Sequence, residues 1–512
     1  MSKKLFVIIL LLFFILTASG NIDSIDATTH LYLAKQIVTQ SRIDFGKDVI
    51  GSQMVAQSDP KTGNYYPIYN FGYAVLLIPA VLLSNSIRTL LHTSPSLFPQ
   101  QPDWIMTAYL NLFNGVVLIL IGYMIRRFVY QLVRDRSEKI NIFMLVGIFA
   151  SNLIIQGHQQ FAHLLFSLFV LLALDQLTQY AHHNRAINII LFSLAFAAVA
   201  ASYNTTFIFL IPALLIYYVF ASEKKQRNVY QTLKLGLSFL PAIAVQGIWN
   251  YLRYGNPLLT GYLQRAEAIY VFNIGEMIKH LYGMTIGPNK GLLIYSPILF
   301  FSYLYCLKNM KTKNKSVRSL IVFFLTLTVS YLLGYSPVTF WHGDSAYGPR
   351  YLTPLVVVGL VFFILFMQET KTKMAKIIIT LFIFFGVLVQ IPGLLIPHFT
   401  YRFISKQTCV GSERWYYDFR CAPFLVGWAQ LLKRETKETP LIFKGDQSDK
   451  IVTDKYPNPL TPFKTIYPDP FFDRFSSLKT SRYKVSEDLF NCIYAFTLDM
   501  WWIKKYYYAN IF

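Results

Sequence analysis

Apolar stretches of roughly membrane length, separated by short charged runs, recur along most of this chain. The first is Leu5–Ala18, unbroken behind Lys3 and Lys4. Others cover residues 104–125, 140–156, 162–181, 186–201, 205–221, 234–251, 291–308, 318–336, 352–368 and 376–397. A helix needs about 20 apolar residues to cross the hydrocarbon core, so the pattern predicts an all-α polytopic membrane protein of about 11 transmembrane helices. Tyr69–Ser84 is also apolar, but it is short and interrupted by Pro79. A full crossing there would place Arg126 and Arg127 outside, so the segment reads as juxtamembrane or re-entrant.

Basic residues orient these spans. They gather at Arg126–Lys139, Glu223–Arg227, Lys308–Arg318 and Lys371–Lys376. With a cytoplasmic N-terminus, every one of these loops falls inside, as the positive-inside rule requires. Segments 21–103, 252–290, 337–351 and 398–512 then face outward. Two parts follow: a transmembrane domain over residues 1–400 with a long first extracytoplasmic loop (21–103), and a small C-terminal extracytoplasmic domain over 401–512. The latter is polar and rich in proline and aromatic residues, as in Tyr456-Pro-Asn-Pro459 and Pro468-Asp-Pro470, and reads as α/β or irregular. The Lys3-Lys4 start and the small residues Thr17–Gly20 also have the form of a secretory signal, but an uncleaved first span is preferred because it keeps the following loop anchored.

Composition agrees. Of 512 residues 54% are hydrophobic and only 14% charged, against about 25% charged in soluble proteins. The net charge of +21 sits in the loops between spans, so it is topological and implies no nucleic-acid partner. Of the four cysteines, Cys306 falls in a span. Cys409 and Cys421 are close enough in the outer tail to form a disulfide, with Cys492 as a competing partner.

The informative polar residues all lie on the outer side. Just past the first span stand Asp23, Asp26, His30 and Tyr32, with Ala27, Leu31, Ala34 and Val38 at helical spacing for an interfacial helix. An ionisable group at the lipid boundary is costly unless paired or wetted, which makes Asp26 a candidate general base. The competing reading is a helix N-cap. Further along come Trp249–Tyr262 with Arg253, Tyr282–Pro297 with Lys290, and Phe340–Tyr351 with Trp341, His342, Asp344, Tyr347 and Arg350. An arginine fork before a span can bind a phosphate through paired hydrogen bonds, so Arg350, with Lys290 and Arg253, is a candidate phosphate ligand. Trp341, His342, Asp344 and Tyr347 would line the substrate cavity. Snorkelling explains Lys290 equally well, and interface anchoring explains Trp341 and Tyr347. His158 and His163 read as polar packing. No Walker loop, dinucleotide glycine pattern or paired-His metal spacing is present. No cofactor is required, although Asp23, Asp26 and His30 could together hold a divalent cation.

The ordered set formed by Asp26, Tyr65–Gly72, Asn250–Gly261, Gly291–Pro297 and Trp341–Arg350 resembles bacterial GT-C glycosyltransferases, in the mannosyltransferase-like branch related to protein O-mannosyltransferases and the aminoarabinose transferase of lipid A. The resemblance spans about residues 1–400. It implies a cell-envelope enzyme in the cytoplasmic membrane that uses a polyprenyl-phosphate sugar on the outer face and a glycan, lipid or protein acceptor. It also implies that the acidic residue of the first outer loop, here Asp26, deprotonates the acceptor hydroxyl. Where many relatives have Asp-Glu, this chain has Asp26-Ala27, which leaves Asp23 as the nearest second carboxylate. Physically, one base suffices: single displacement at the anomeric carbon inverts its configuration, and the leaving phosphate needs cations rather than a proton donor. Two other classes share the outline. An envelope polysaccharide polymerase or ligase would rely on His342 or Arg350 instead of Asp26, and a lipid-linked-sugar flippase would need charges inside its spans, of which Asp175 is the main example.

Overall fold

In the computed structural model of the chain, the residues described are 1–18, 25–47, 56–59, 62–90, 104–133, 137–203, 205–223, 229–262, 270–343, 346–396, 416–433 and 500. The C-terminal domain expected over 401–512 therefore falls almost wholly outside them.

The described chain is a helical bundle. Its helices run α1 Lys3–Thr17, α2 Ile25–Gln40, α3 Gly72–Leu90, α4 Trp104–Val133, α5 Lys139–Phe149, α6 Leu153–His158, α7 His163–His183, α8 Ala186–Ser202, α9 Leu210–Ala221, α10 Val229–Leu237, α11 Leu240–Tyr254, α12 Ile274–Thr285, α13 Leu292–Tyr295, α14 Leu299–Asn309, α15 Lys315–Tyr335, α16 Thr353–Glu369 and α17 Lys373–Leu395, before a last helix Pro423–Lys433. A two-stranded antiparallel hairpin, β1 Ala56–Ser58 with β2 Tyr65–Pro67, pairs Ala56 with Pro67 and Ser58 with Tyr65.

Seven helical segments among the described residues are long and apolar enough to cross a membrane: Gly72–Leu90, Ala108–Val133, His163–His183, Val229–Tyr254, Lys315–Tyr335, Arg350–Glu369 and Lys373–Leu395. Most of the other expected spans are shorter or broken helices. The 140–156 stretch splits into α5 and α6 around Ser151 and Asn152, and 291–308 splits into α13 and α14 at Pro297. A proline has no N–H to give its helix and favours such a break.

The helix α3 is longer than the Tyr69–Ser84 stretch suggested and continues through Pro79. Its course is set by two contacts: the Tyr73 hydroxyl donates to Asn114 Oδ1 at 3.2 Å and the Tyr109 hydroxyl to the Leu76 carbonyl at 3.0 Å. As α3 advances it therefore pairs with successively earlier residues of α4. It climbs away from the Arg126-Arg127 end.

The two ends of the bundle differ in chemistry. At one end Arg127 pairs with Asp175 at 2.9 Å, Lys308 with Glu369 at 3.3 Å, the Met1 ammonium with Glu138 at 3.1 Å, and Lys315 donates to the Ser222 carbonyl. The buried titratable residues Asp26, His30, His163, Arg253, Lys290 and Arg350 gather at the other end. Asp175, the main charged residue within a span, thus belongs to the basic end.

Close helix approach depends on small residues, as in membrane bundles generally. Gly386 of α17 lies against the Ala150 carbonyl, where an added Cβ would fall 2.4 Å from that oxygen and 3.0 Å from Pro297 Cγ. A backbone oxygen cannot rotate aside. Gly386→Ala is expected to destabilise the protein by about 1–3 kcal/mol, seen as a lower melting temperature in detergent. Gly236→Ala, where nothing lies within 4 Å, serves as the control and should be neutral or slightly stabilising.

Candidate active site

The site is built on α2. This helix begins at Ile25, so Asp26 is its second residue and not its N-cap. Buried at 5% exposure, its carboxylate is engaged on both oxygens. Tyr69 donates its hydroxyl to Oδ1 at 2.6 Å, and Arg350 donates Nη1 to Oδ2 at 2.6 Å. The second contact is a buried ion pair between residues 324 positions apart. A lone charge removed from water would be far more costly than this pair, because the attraction offsets desolvation only when geometry and hydrogen bonds are good.

Each partner is locked from behind. The segment carrying Tyr69 is gripped by α11: Arg253 donates to the carbonyls of Pro67 at 2.6 Å and Tyr69 at 3.3 Å, and Trp249 Nε1 to the Tyr69 carbonyl at 3.1 Å. Asn70 donates to the Ala200 carbonyl at 2.5 Å and to Gln246 at 2.6 Å, while its N–H reaches the Tyr203 carbonyl at 2.9 Å. Arg350 opens a short 3-10 turn into α16, with the Thr353 hydroxyl on its carbonyl at 2.6 Å. The approach to Arg350 needs two left-handed glycines. Gly343 (φ +64) would place a Cβ 2.9 Å from Arg350 Cγ, and Gly348 (φ +71) would place one 3.0 Å from Asn152 Oδ1. Lys290 is buried and donates to the Ala346 carbonyl, fixing the same loop.

Aromatic rings surround the pair. Arg350 stacks over Phe161 at 4.4 Å and Tyr351 at 5.3 Å. Tyr69 stacks on His30 at 5.3 Å and on Tyr203 at 5.7 Å. His163 lies 4.3 Å from Tyr203 and 5.5 Å from Tyr351. Tyr351 in turn stacks on Tyr335 at 4.9 Å and borders a mainly apolar cavity of about 660 Å³, also lined by Thr206, Ile243, Asn250, Tyr262 and Phe340. Burial and then the Asp26 charge hold the Tyr69 hydroxyl well above its usual range, so it remains a donor. Burial lowers His30 from 6.5 to about 3.

The structure thus brings Asp26, His30 and Arg350 together. Arg253 and Lys290 stand behind them: Arg253 donates to backbone carbonyls and to Asn250 Oδ1 at 2.7 Å, and Lys290 to the Ala346 carbonyl. Tyr32 packs against Phe45 at 5.2 Å, off the Asp26 face. Trp341 stacks on His280 and Tyr417, and His342 on Tyr416 at 4.1 Å, so the described part of the tail covers this loop. Tyr347 is buried, donating to the Val389 carbonyl. Asp23 and Asp344 lie outside the described residues. Among the described residues no group of three His, Cys, Asp or Glu is placed to hold a metal ion. His158 accords with packing, its Nε2 lying 2.5 Å from the Thr17 carbonyl. His163, read the same way from sequence, is packed against Tyr203 and Tyr351 beside the pair. Tyr69, Tyr203 and Tyr351 carried no distinguishing signal, although Tyr69 lies within the Tyr65–Gly72 stretch. Cys421 is buried and disulfide-bonded, while Cys409 and Cys492 lie outside the described residues.

No protein-family model matches the chain, and no curated protein matches it in sequence. Among solved structures, the fold matches ArnT from Cupriavidus metallidurans bound to undecaprenyl phosphate, with a TM-score of 0.50 and 10% identity over 84% of this chain and 72% of that one. The apo state of the same ArnT gives a TM-score of 0.49 and 11% identity over the same shares. The likeness is one of fold alone: the chain shares the all-α architecture of that protein, with several helices long and apolar enough to cross a membrane.

Two consequences can be measured. Arg350→Gln and Asp26→Asn each leave a buried charge without its partner and should each cost about 3–5 kcal/mol of stability, while the double variant should cost clearly less than their sum. For His30, the unfolded chain binds a proton between pH 6.5 and about 3 that the folded site excludes. Stability therefore falls as pH falls through that window. His30→Phe should flatten the acid side of the melting-temperature profile.

Proposed function

We propose that this protein is a glycosyltransferase that moves a sugar from a polyprenyl-phosphate donor to an acceptor hydroxyl on the outer face of the cytoplasmic membrane, with inversion. The observation that carries the reading is the buried Asp26–Arg350 pair, one potential base and one fixed cation, with Arg350 packed on Tyr351, a residue that lines an apolar cavity.

The chemistry follows from that pair. Both Asp26 oxygens are occupied, so the base is masked until something else takes Arg350. The donor phosphate is suited to do so, since a guanidinium fork binds phosphate as well as carboxylate. Once Oδ2 is released, Asp26 accepts the proton of the acceptor hydroxyl, whose oxygen attacks the anomeric carbon. The bond from that carbon to the phosphate oxygen breaks, and its electron pair leaves on polyprenyl phosphate, where Arg350 balances the charge. Tyr69 keeps Asp26 oriented, and Arg253 and Lys290 act as positioning residues for Tyr69 and Arg350. The cavity beside Tyr351 suits the first units of a prenyl chain, since it is lined mainly by apolar and aromatic groups.

Three further facts support the reading. The fold is shared with a protein crystallised with undecaprenyl phosphate. The site lies at the bundle end opposite the basic loops, which fits an outer-face reaction with a cytoplasmic N-terminus. The disulfide at Cys421 fits an oxidising compartment at the same end.

The test uses purified protein in nanodiscs, a panel of polyprenyl-phosphate sugars and release of free polyprenyl phosphate as the readout. Loss of a general base should slow release by about 10²–10⁴-fold in Asp26→Asn. Release that survives Asp26→Asn but needs His342 would turn the assignment toward a polymerase or ligase. Movement of the lipid-linked sugar across the bilayer without release would turn it toward a flippase.

A further inference from the structure

Asn250 joins two parts of the site through a single amide. It lies on α11, is 1% exposed and lines the cavity. Its Oδ1 accepts from Arg253 Nη2 at 2.7 Å and from Gln246 Nε2 at 2.9 Å, and its Nδ2 donates to the Pro257 carbonyl at 3.0 Å. Chemistry forces that orientation. A guanidinium can only donate and a carbonyl can only accept, so the amide oxygen faces Arg253 and the nitrogen faces Pro257.

The two sides lead to different places. On the oxygen side, Arg253 passes the contact on to the carbonyls of Pro67 and Tyr69, and the Tyr69 hydroxyl holds Asp26. Gln246 runs alongside, its Oε1 accepting from Asn70, the neighbour of Tyr69, at 2.6 Å. On the nitrogen side, Pro257 opens a stretch that walls the cavity with Pro257, Leu258, Thr260 and Tyr262. Within it Gly261 lies against Ile68, where an added Cβ would fall 2.6 Å from Ile68 Cα. The cavity wall and the segment that carries Tyr69 thus touch at Gly261 and are tied together at Asn250.

We infer that Asn250 is a positioning residue with two separable duties: its Oδ1 sets the base through Arg253 and Tyr69, and its Nδ2 sets the cavity wall that receives the donor lipid. This rests on the lipid-linked donor proposed above. Without Oδ1, the Arg253 Nη2 is left buried and short of an acceptor, and a guanidinium that turns to find one withdraws Nη1 from the carbonyls it grips. Without Nδ2, the Pro257 carbonyl loses its donor and the wall relaxes while the base stays in place. The two losses therefore fall on different kinetic constants, the placement of the base on kcat and the fit of the donor on KM.

The experiment measures kcat and KM for polyprenyl phosphate release in nanodiscs with wild type, Asn250→Ala and Asn250→Asp, after melting temperatures confirm folding. Alanine removes both duties. Aspartate keeps an oxygen for Arg253 and Gln246 but sets its other oxygen against the Pro257 carbonyl, and two acceptors repel. Asn250→Ala should lower kcat by about 10–100-fold, the scale of a small misplacement at the reacting centre. It should also raise KM by about 3–10-fold, the worth of one hydrogen bond. Asn250→Asp should recover most of the kcat while keeping the raised KM. Where Asn250→Ala does not fold, Asn250→Asp is read alone against the wild type, with kcat retained and KM raised as the supporting result. A kcat as low in Asn250→Asp as in Asn250→Ala, or a KM in Asn250→Asp equal to that of the wild type, would overturn the inference while leaving the lipid-linked reading intact. If wild-type protein releases polyprenyl phosphate from none of the donors, the donor reading falls and this inference falls with it.

Discussion

The buried pair of Asp26 and Arg350 is the interaction on which the rest of this end of the molecule depends. It joins the first helix after the opening span to the turn that feeds α16, across nearly two thirds of the chain. Neither ion could stay in this setting alone, so the two segments are held together by the cost of separating them. Almost every other feature nearby serves to keep one partner in place. Arg253 and Trp249 grip the backbone beside Tyr69, and Tyr69 holds the other Asp26 oxygen. Lys290 and two left-handed glycines shape the loop that presents Arg350.

In the reaction proposed above, the same pair gives the site a resting state and a trigger. A base whose oxygens are both occupied does not react with whatever hydroxyl happens to arrive. An anion that competes for the arginine changes that, and the anion required is the one that later departs. Binding and activation are then a single event, with phosphate affinity spent on unmasking the base and not on ground-state binding alone.

Much of the fold could be read from the chain, and the reason is physical. Apolar runs bounded by charge have few alternatives to membrane helices, and Arg126–Lys139 and Lys308–Arg318 mark the basic end wherever the helices break. The breaks themselves were hidden, because a run such as 140–156 or 291–308 is equally apolar on both sides of its interruption. Asp26 and Arg350 stood out because ionisable groups at an apolar boundary are rare. Their pairing did not, since nothing in periodicity links positions so far apart. Lys290 and Arg253 drew attention for the same rarity, but burial gave each of them carbonyls to satisfy. Tyr69, Tyr203 and Tyr351 could not be singled out in a chain with 35 tyrosines. A lone histidine at a span end, such as His163, has the same sequence signature whether it packs or binds.

The grip of Arg253 on the carbonyls of Pro67 and Tyr69 has a consequence for how such a protein can diversify. Carbonyl oxygens are the same whatever side chains flank them, so this clasp is blind to the composition of the hairpin that precedes it. The β1–β2 segment can be lengthened, shortened or exchanged for another, provided that it delivers its last strand to the same clasp. The sequence of the hairpin and the positioning of Tyr69 against Asp26 are thereby separable: the first can drift while the second is held by backbone contacts alone.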